Sequence, residues 1–286
     1  MTRNCQSSAI VRAKNRRFYL CPRSTYNPPV AAEHLRGMCV LEPICLWSGP
    51  RNVSTALMYS FAQNDSIRVV DEPLYGHYLR LSQSEHPGRD DIIAAMNCDG
   101  DQVMQDLFAQ QADMPETRLF IKHMAHHLIG LDLAFLQRTR NIFLIRDPRD
   151  MLPSLTVQLP NAQLRDTGFK RQWELFSSLS DAGRNPTVLD ARELLTNPRR
   201  VLQQLCSQID VPFSNTMLSW KARARPEDGV WAPHWYHAVH QSTGFAPYQA
   251  KTEFPDHLQA LFDDCQPWYE KLFRHAIRAN ADGDSS

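Results

Sequence analysis

Residues 43–63 read PICLWSGPRNVSTALMYSFAQ, and the rest of the chain is organised around this stretch. It joins an apolar run at 44–47, a polar loop at 48–55 and an amphipathic run at 56–62. That order predicts a buried strand, a tight loop and a helix. The backbone N–H groups and the positive dipole end at a helix N-terminus suit a phosphate. The stretch therefore predicts a phosphate-binding loop, with an ordinary strand-to-helix turn capped by Ser or Thr as the alternative.

The loop departs from the Walker A sequence G-x-x-x-x-G-K-[ST]. Gly49 fits the first glycine, but Ser54 and Thr55 stand where the second glycine and the lysine are required. An ordinary ATPase or GTPase is disfavoured because that lysine reaches the nucleotide phosphates. Here Arg51 supplies a fixed positive charge instead, and the two hydroxyl side chains add donors.

Length and composition narrow the class of protein. The 286 residues suffice for one large α/β domain or two small ones, and nothing marks a linker. The formal net charge of zero gives no argument for nucleic acid or an anionic membrane as a partner. No apolar run approaches the ~20 residues that a membrane-spanning helix needs. The seven cysteines are scattered and form no C-x-x-C pair, which favours reduced intracellular thiols over disulfides or zinc.

Residues 1–40 are predicted to be a basic extension preceding one domain at 41–280. Basic residues recur through this segment against the single acid Glu33: Arg3, Arg12, Lys14, Arg16, Arg17, Arg23 and Arg36. Arg and Ser without acids are typical of an organelle transit peptide. The prolines Pro22, Pro28 and Pro29 break any helix there and favour a disordered tail. We therefore expect a cytoplasmic protein, with organelle targeting as the alternative.

Four further runs, at 66–71, 118–124, 141–145 and 187–190, are apolar or β-branched and predict strands. Helical periodicity predicts helices at 102–111, 131–138, 169–179, 199–206 and 256–278. His234, His237 and His240 recur at a spacing of three, which predicts one face of a single helix. Strands that alternate with helices favour an α/β domain with a mainly parallel sheet.

Two of these strands end in side chains that can do chemistry. Glu72 follows the run at 66–71, and ligands of parallel sheets lie beyond the carboxyl ends of strands. An acid before Pro73 equally suits the start of a helix, and the two roles are compatible. His123 ends the run at 118–124, with His126 and His127 close behind. No carboxylate or cysteine lies at a familiar ligand spacing, so no metal is expected.

The strand at 141–145 leads into the sequence RDPRDMLPS, residues 146–154. Arg146 at the carboxyl end of a strand offers a forked set of donors to a phosphate. Ser154 falls two turns later in a helix that begins near Pro148. R-D-P-R alone is a common strand-to-helix turn, but its position after the first loop makes the combination more specific.

Together the two segments resemble the sulfotransferases that use 3′-phosphoadenosine 5′-phosphosulfate (PAPS). Their phosphosulfate loop is commonly P-[KR]-S-G-T-T, and residues 50–55 here read PRNVST, with Asn52 and Val53 departing from it. The second segment is similar to the R-[DN]-P-[KR]-x-x-x-x-S sequence of that family. The resemblance covers roughly residues 41–220. The sequence pattern, including the tail rich in tryptophan and histidine, is most similar to the sulfotransferase-like part of branched-chain aminotransferase-like proteins.

The resemblance implies a three-layer α/β/α fold, similar to the P-loop NTPases, with a mainly parallel sheet of four or five strands. It implies sulfuryl transfer from PAPS to a hydroxyl or amine of a small-molecule acceptor, with PAP (3′-phosphoadenosine 5′-phosphate) as product and no metal ion. Arg51 and loop residues Asn52, Val53, Ser54 and Thr55 are then assigned to the 5′-phosphosulfate, and Arg146 and Ser154 to the 3′-phosphate. The alternatives are a P-loop phosphotransferase and a nucleotide-binding module without catalysis. Val53 favours the latter, since a β-branched residue does not easily take a positive φ.

Two residues are candidates for the base that accepts the acceptor's proton, and we expect both to end strands next to the loop strand. His123 matches the family's K-T-H segment loosely, but no residue separates it from Lys122. Glu72 lies where the family's other pattern, K-E-x-H-F, has the glutamate that is the base. Residues 71–75 here read DEPLY, which keeps the glutamate and an aromatic residue nearby. A shift of one residue turns a side chain to the opposite face of a strand. We therefore predict Glu72 as the base, Arg51 as the group that stabilises the leaving charge, and His123 as an orienting residue.

Overall fold

The structure is a computed structural model that describes residues 41–82 and 84–280. The predicted basic extension at 1–40, with its proposed targeting role, lies outside the described residues. Within those ranges no helix has the length and apolar character to cross a membrane. The cysteines that the structure describes are all free thiols, namely Cys45, Cys98, Cys206 and Cys265.

The centre of the fold is a five-stranded parallel sheet. Its strands are β1 (Ile44–Ser48), β2 (Ile67–Asp71), β3 (Arg118–Met124), β4 (Arg140–Ile145) and β5 (Thr187–Asp190). They are ordered β2-β3-β1-β4-β5, which confirms the predicted parallel sheet of four or five strands. All five carboxyl ends meet at one edge, where the loops carrying the candidate residues also lie.

Twelve α-helices are described along the chain. They are α1 (Ser54–Phe61), α2 (Tyr75–Ser82), α3 (Arg89–Ala95), α4 (Gly100–Ala112), α5 (Pro148–Leu155), α6 (Leu164–Thr167), α7 (Phe169–Asp181), α8 (Ala191–Thr196), α9 (Pro198–Gln208), α10 (Ala232–Trp235), α11 (His237–His240) and α12 (Gln259–Phe273). Short 3₁₀ turns cover Ala125–His127, Leu133–Arg138, Asn215–Leu218 and Asp256–Leu258.

The sheet is buried on both faces, which gives the predicted three layers. One face, with Trp47 and Phe143, packs against α7 and α12. The other, with Leu46 and Leu144, packs against α1 and α9. This explains why the strands are nearly continuous apolar runs, as central strands of parallel sheets are.

Four details of the sequence prediction are wrong. The predicted helix at 131–138 is instead a 3₁₀ turn at Leu133–Arg138, and the last helix ends at Phe273, five residues early. The three histidines at 234–240 lie on two short helices that Tyr236 separates, so they do not share one helix face. Strand β2 pairs with β3 and does not neighbour β1, which β3 and β4 flank. Non-local pairing decides strand order, and apolar periodicity carries no information about it.

Candidate active site

A cavity of about 470 Å³ opens at the carboxyl edge of the sheet. Its floor is the loop after β1 with the ends of β2, β3 and β4, and a wall is formed by the segment 231–246. All predicted site residues line it except His123: Arg51, Asn52, Val53, Ser54, Thr55, Glu72, Arg146 and Ser154.

The loop between β1 and α1 turns through two left-handed residues, Arg51 with φ 60° and Val53 with φ 57°. Between them Asn52 is buried, and its Nδ2 donates to the Leu144 carbonyl at 3.1 Å. A left-handed residue followed by a helical one, as at Val53 and Ser54, arranges successive N–H groups around an anion-binding concavity. The loop therefore presents successive N–H groups in a conformation suited to an anion, although Val53 carries a side chain where glycine would be more permissive.

Val53 is strained in this conformation, and its replacement tests the strain. A left-handed residue with a Cβ costs about 1–2 kcal/mol, and glycine carries no such cost. We expect Val53→Gly to be more stable towards unfolding than Val53→Ala by about 1 kcal/mol, although glycine removes more side chain. Denaturant unfolding of both variants measures the difference. An alanine variant as stable as the glycine variant would contradict the left-handed conformation.

Arg51, Arg146 and Ser154 converge although they are far apart in the chain. The Arg51 Nε donates to the Ser154 Oγ at 2.8 Å, and the Arg146 Nη1 donates to the Arg51 carbonyl at 3.0 Å. Burial, and then the charge of Arg146, lowers the pKa of Arg51. Among the salt bridges of the described residues, none includes either arginine. Two half-buried guanidinium groups without a carboxylate partner favour an anion between them.

Glu72 belongs to a buried ionic network that the sequence did not reveal. The Lys122 Nζ donates to Glu72 Oε1 at 2.5 Å, to Asp71 Oδ1 at 2.8 Å and to the Tyr236 hydroxyl at 2.8 Å. The Tyr236 hydroxyl donates in turn to Asp71 Oδ2 at 2.7 Å and accepts from Trp231 Nε1 at 3.0 Å. All three N–H donors of the ammonium group thus have partners, as a buried charge requires.

The network sets the protonation of Glu72. Burial raises the pKa of Glu72, and the positive charge of Lys122 opposes that rise. Burial alone would lower the pKa of Lys122, but Asp71 and Glu72 outweigh it and raise that pKa. Glu72 also holds a left-handed backbone, with φ 39°, so tertiary contacts must maintain its position. A carboxylate with a raised pKa at a cavity is a candidate proton acceptor.

His123 lies away from the cavity. Consecutive residues of a strand point to opposite faces, so His123 leaves the sheet on the face opposite to Lys122. Its ring stacks on Trp47, with centroids 4.4 Å apart, and is 1% exposed. Burial, with the charge of Lys122, lowers the pKa of His123 to about 3. The geometry therefore does not support the predicted orienting role, and the β1–β3 register, which pairs Trp47 with His123, explains why.

The part of the cavity beyond Glu72 is lined by rings to which the sequence analysis gave no role in the site. They come from the segment after β2, the turn after β3 and the helix α10, and comprise Tyr75, His86, His126, His127, Trp231 and Trp235. The described residues contain no cluster of three or more His, Cys, Asp or Glu side chains suited to a metal ion. No local motif identifies these rings, because three distant segments contribute them.

A family model described as "Sulfotransferase domain" matches residues 42–276. Two proteins of Arabidopsis thaliana are similar to the chain. Branched-chain-amino-acid aminotransferase-like protein 2 is 37% identical over 237 residues, 82% of this chain and 42% of that protein. Branched-chain-amino-acid aminotransferase-like protein 1 is 39% identical over 242 residues, 84% of this chain and 43% of that protein. The chain thus spans less than half the length of these relatives.

Among solved structures, a sulfotransferase from Alicyclobacillus acidocaldarius is 13% identical, with a TM-score of 0.49, over 83% of this chain and 98% of that one. The sulfotransferase domain of the Synechococcus PCC 7002 olefin synthase is 19% identical, with a TM-score of 0.48, over 78% and 94% of the two chains. Identities and TM-scores this low do not show which donor or acceptor this chain uses. The family match, by contrast, runs from β1 past the end of α12, and the chain belongs to the sulfotransferase domain family.

Proposed function

We propose that this chain transfers the sulfuryl group of PAPS to a hydroxyl or amine of a small-molecule acceptor and releases PAP. The observation that carries the proposal is the pair Arg51 and Arg146, which meet at a helix N-terminus without a carboxylate partner among the described residues. The same cavity holds a buried carboxylate, Glu72, on its other side. A polyanionic donor and a proton acceptor are the two requirements of sulfuryl transfer.

The donor would lie along β1 and β4. The backbone N–H groups of residues 52–55, with Arg51, would hold the 5′-phosphosulfate, because the dipole of α1 and a guanidinium both favour negative charge. Arg146 and Ser154 would hold the 3′-phosphate. Because the Arg51 Nε donates to the Ser154 Oγ, the two phosphates would be neighbours and Arg51 would contact both.

The reaction then needs one proton transfer, the formation of a bond from the acceptor to sulfur and the cleavage of the bond from sulfur to the donor. The acceptor oxygen attacks sulfur while its proton passes to the Glu72 carboxylate. The bond between sulfur and the bridging oxygen breaks, and the electron pair stays on the phosphate of PAP. Arg51 and the loop N–H groups stabilise that charge as it grows, which is where preorganised donors lower a barrier. Lys122 holds Glu72 in place through the contact at 2.5 Å.

The positive φ of Val53 bears on the alternative of a binding module without catalysis. That alternative rests on a valine that was not expected to take a left-handed conformation, yet Val53 takes it. No other observation favours lost chemistry. A phosphotransferase remains disfavoured, because Thr55 stands where the Walker lysine is required.

Two measurements on the full chain test the proposal. Calorimetry compares PAP with ATP–Mg²⁺, and a turnover assay follows PAP release from PAPS across a panel of alcohols, phenols and amines. Tight PAP binding with turnover supports the proposal. ATP–Mg²⁺ binding in preference to PAP would instead support a phosphotransferase, and PAP binding without any turnover would support a binding module.

Arg146→Ala should remove most of the preference for PAP over AMP, which lacks the 3′-phosphate. A hydrogen bond to a charged group contributes about 1.5–3 kcal/mol, so PAP affinity should fall by about ten- to 150-fold while AMP affinity changes little. Arg149→Ala is the matched control, because that exposed guanidinium lies over Phe262 at 4.5 Å. If the parent protein binds PAP no better than AMP, the assignment of Arg146 is wrong.

A further inference from the structure

The cavity has two chemically different sides. The arginine side follows β1 and β4, and the side lined by rings follows β2 and β3. Neighbouring strands lie about 4.8 Å apart, so the ends of β2 and β4 are separated by about 14 Å. That distance leaves room for a second ligand beside a nucleotide. We call the side formed by Tyr75, His86, His126, His127, Trp231 and Trp235 the aromatic chamber.

The chamber is built from flat rings packed on one another. His127 stacks on Tyr75, with centroids 4.8 Å apart at 14°, and on Tyr78, with centroids 4.5 Å apart at 20°. Trp231 meets Tyr75 edge-on at 5.3 Å. Stacked and edge-on rings of this kind present flat apolar surfaces, and a further ring can add to the arrangement.

The chamber is also uncharged near neutral pH. Burial lowers the pKa of His126 to about 3, and it lowers the pKa of His127 well below the ordinary value. The pKa of His86 is lowered as well, mainly by burial, and its Nδ1 lies 2.8 Å from the Tyr75 hydroxyl. Glu72 lines the cavity and forms a network with Asp71 and Lys122, whose two carboxylates and one ammonium group leave one net negative charge. An anionic acceptor would therefore lose its hydration and meet a like charge, and an ammonium group would have to lose a proton before it could attack sulfur.

Two imidazole nitrogens of the chamber are buried without hydrogen-bond partners in the described part of the chain. His127 is 2% exposed, and its Nδ1 has no hydrogen-bond partner among the described residues. The Nδ1 of His126 is also buried and has no hydrogen-bond partner among the described residues. Neither atom has accessible surface, so neither offers a hydrogen bond to a ligand in the cavity. This part of the wall therefore suits a ligand that needs few hydrogen bonds.

We propose that the aromatic chamber is the acceptor subsite and that it takes a flat, uncharged ring compound bearing the reacting hydroxyl. The inference rests on the proposed function and narrows it from any hydroxyl or amine to this class. The reacting hydroxyl lies towards Glu72, which is adjacent because the Tyr75 N–H donates to the Glu72 carbonyl at 3.0 Å. A sugar would bury several hydroxyls without partners, and an alkylammonium would first have to lose a proton.

Trp235 offers a direct way to change the chamber. It lies on α10, lines the cavity and is half-buried, so truncation leaves the sheet intact. Trp235→Leu removes one flat wall, and Trp235→Phe keeps an aromatic ring as the matched control. An aromatic contact contributes about 0.5–1.5 kcal/mol, so the leucine variant should bind a flat acceptor about two- to tenfold more weakly.

The test uses four probes of related size on the full chain, with and without saturating PAP. They are 2-naphthol, its saturated analogue decahydro-2-naphthol, the cation 2-naphthylmethylammonium and the anion 6-hydroxy-2-naphthoate. Dissociation constants come from saturation-transfer NMR, and sulfated products from mass spectrometry with PAPS. We expect 2-naphthol to bind about tenfold tighter than the other three, and Trp235→Leu to weaken only the flat probes.

Two results would overturn the inference: the saturated or a charged probe binding as tightly as 2-naphthol, or Trp235→Leu leaving 2-naphthol binding unchanged. PAP affinity is measured separately and separates the two proposals. Absence of PAP binding refutes the donor assignment, whereas PAP binding without a preference for the flat neutral probe refutes only the acceptor class.

Discussion

Glu72→Gln is expected to lower kcat by about two to four orders of magnitude while leaving PAP affinity nearly unchanged. A general base contributes about 10²- to 10⁴-fold, and glutamine cannot accept a proton. The nucleotide would lie along β1 and β4, away from Glu72, so its binding should not depend on the carboxylate. The amide keeps the size of the side chain, and Lys122 retains Asp71 as a counter-ion.

The pH dependence of turnover gives a second measurement on the same group. Only the ionised carboxylate can accept a proton, and burial raises the pKa of Glu72. We therefore expect kcat of the parent enzyme to fall as the pH drops through that raised value. The residual activity of Glu72→Gln should not show this fall in kcat at low pH. Glu85 is an exposed carboxylate near the cavity, and Glu85→Gln is the control. It should keep both the kcat of the parent enzyme and the fall in kcat at low pH.

His123→Ala completes this experiment. The ring lies on the other face of the sheet against Trp47, so its loss should lower stability more than turnover. An inactive His123→Ala enzyme together with a fully active Glu72→Gln enzyme would reverse the two roles. It would also contradict the β1–β3 register.

Lys122→Met is expected to have the largest effect on stability. The side chain is completely buried and contacts two carboxylates, so its removal leaves Asp71 and Glu72 facing each other without a cation. Removing one partner of a buried ion pair costs about 3–5 kcal/mol. Lys170→Met, at an exposed position on α7, is the control and should change the free energy of unfolding by less than about 0.5 kcal/mol.

The sign of the pH effect distinguishes charge from packing. In Lys122→Met the two carboxylates repel each other, so the pKa of Glu72 in the folded variant should lie above that of the unfolded chain. The folded variant then binds more protons than the unfolded one, and its stability rises as the pH falls. We expect the loss relative to the parent protein to be smaller at pH 5 than at pH 8.

A second substitution strengthens the test. Asp71→Asn in the Lys122→Met background removes one of the two unpaired charges, so the double variant should be more stable than Lys122→Met alone. Denaturant unfolding at both pH values provides all of these free energies. Equal losses at both values, with no rescue by Asp71→Asn, would show that lost packing accounts for the effect.

The features that the sequence predicted correctly are local. The apolar run of β1, the loop and the start of α1 are contiguous, and so are β4, Arg146 and the helix that carries Ser154. Strand, turn and helix each follow from a few neighbouring residues, because the hydrogen bonds and turn conformations involved are short-range. The fold class and the position of the cavity follow from these units, since parallel strands place their loops at one edge.

Tertiary structure decided which side chains meet. Lys122 pairs with Asp71 because β2 and β3 align those residues in register, and a shift by one residue would turn the ammonium group to the other face. The same alternation removes His123 from the cavity. Three distant segments build the aromatic chamber, with rings that no short motif marks. Apolar periodicity reports burial along one strand, whereas strand order and register come from contacts between residues far apart in sequence, and these determined the environment of Glu72.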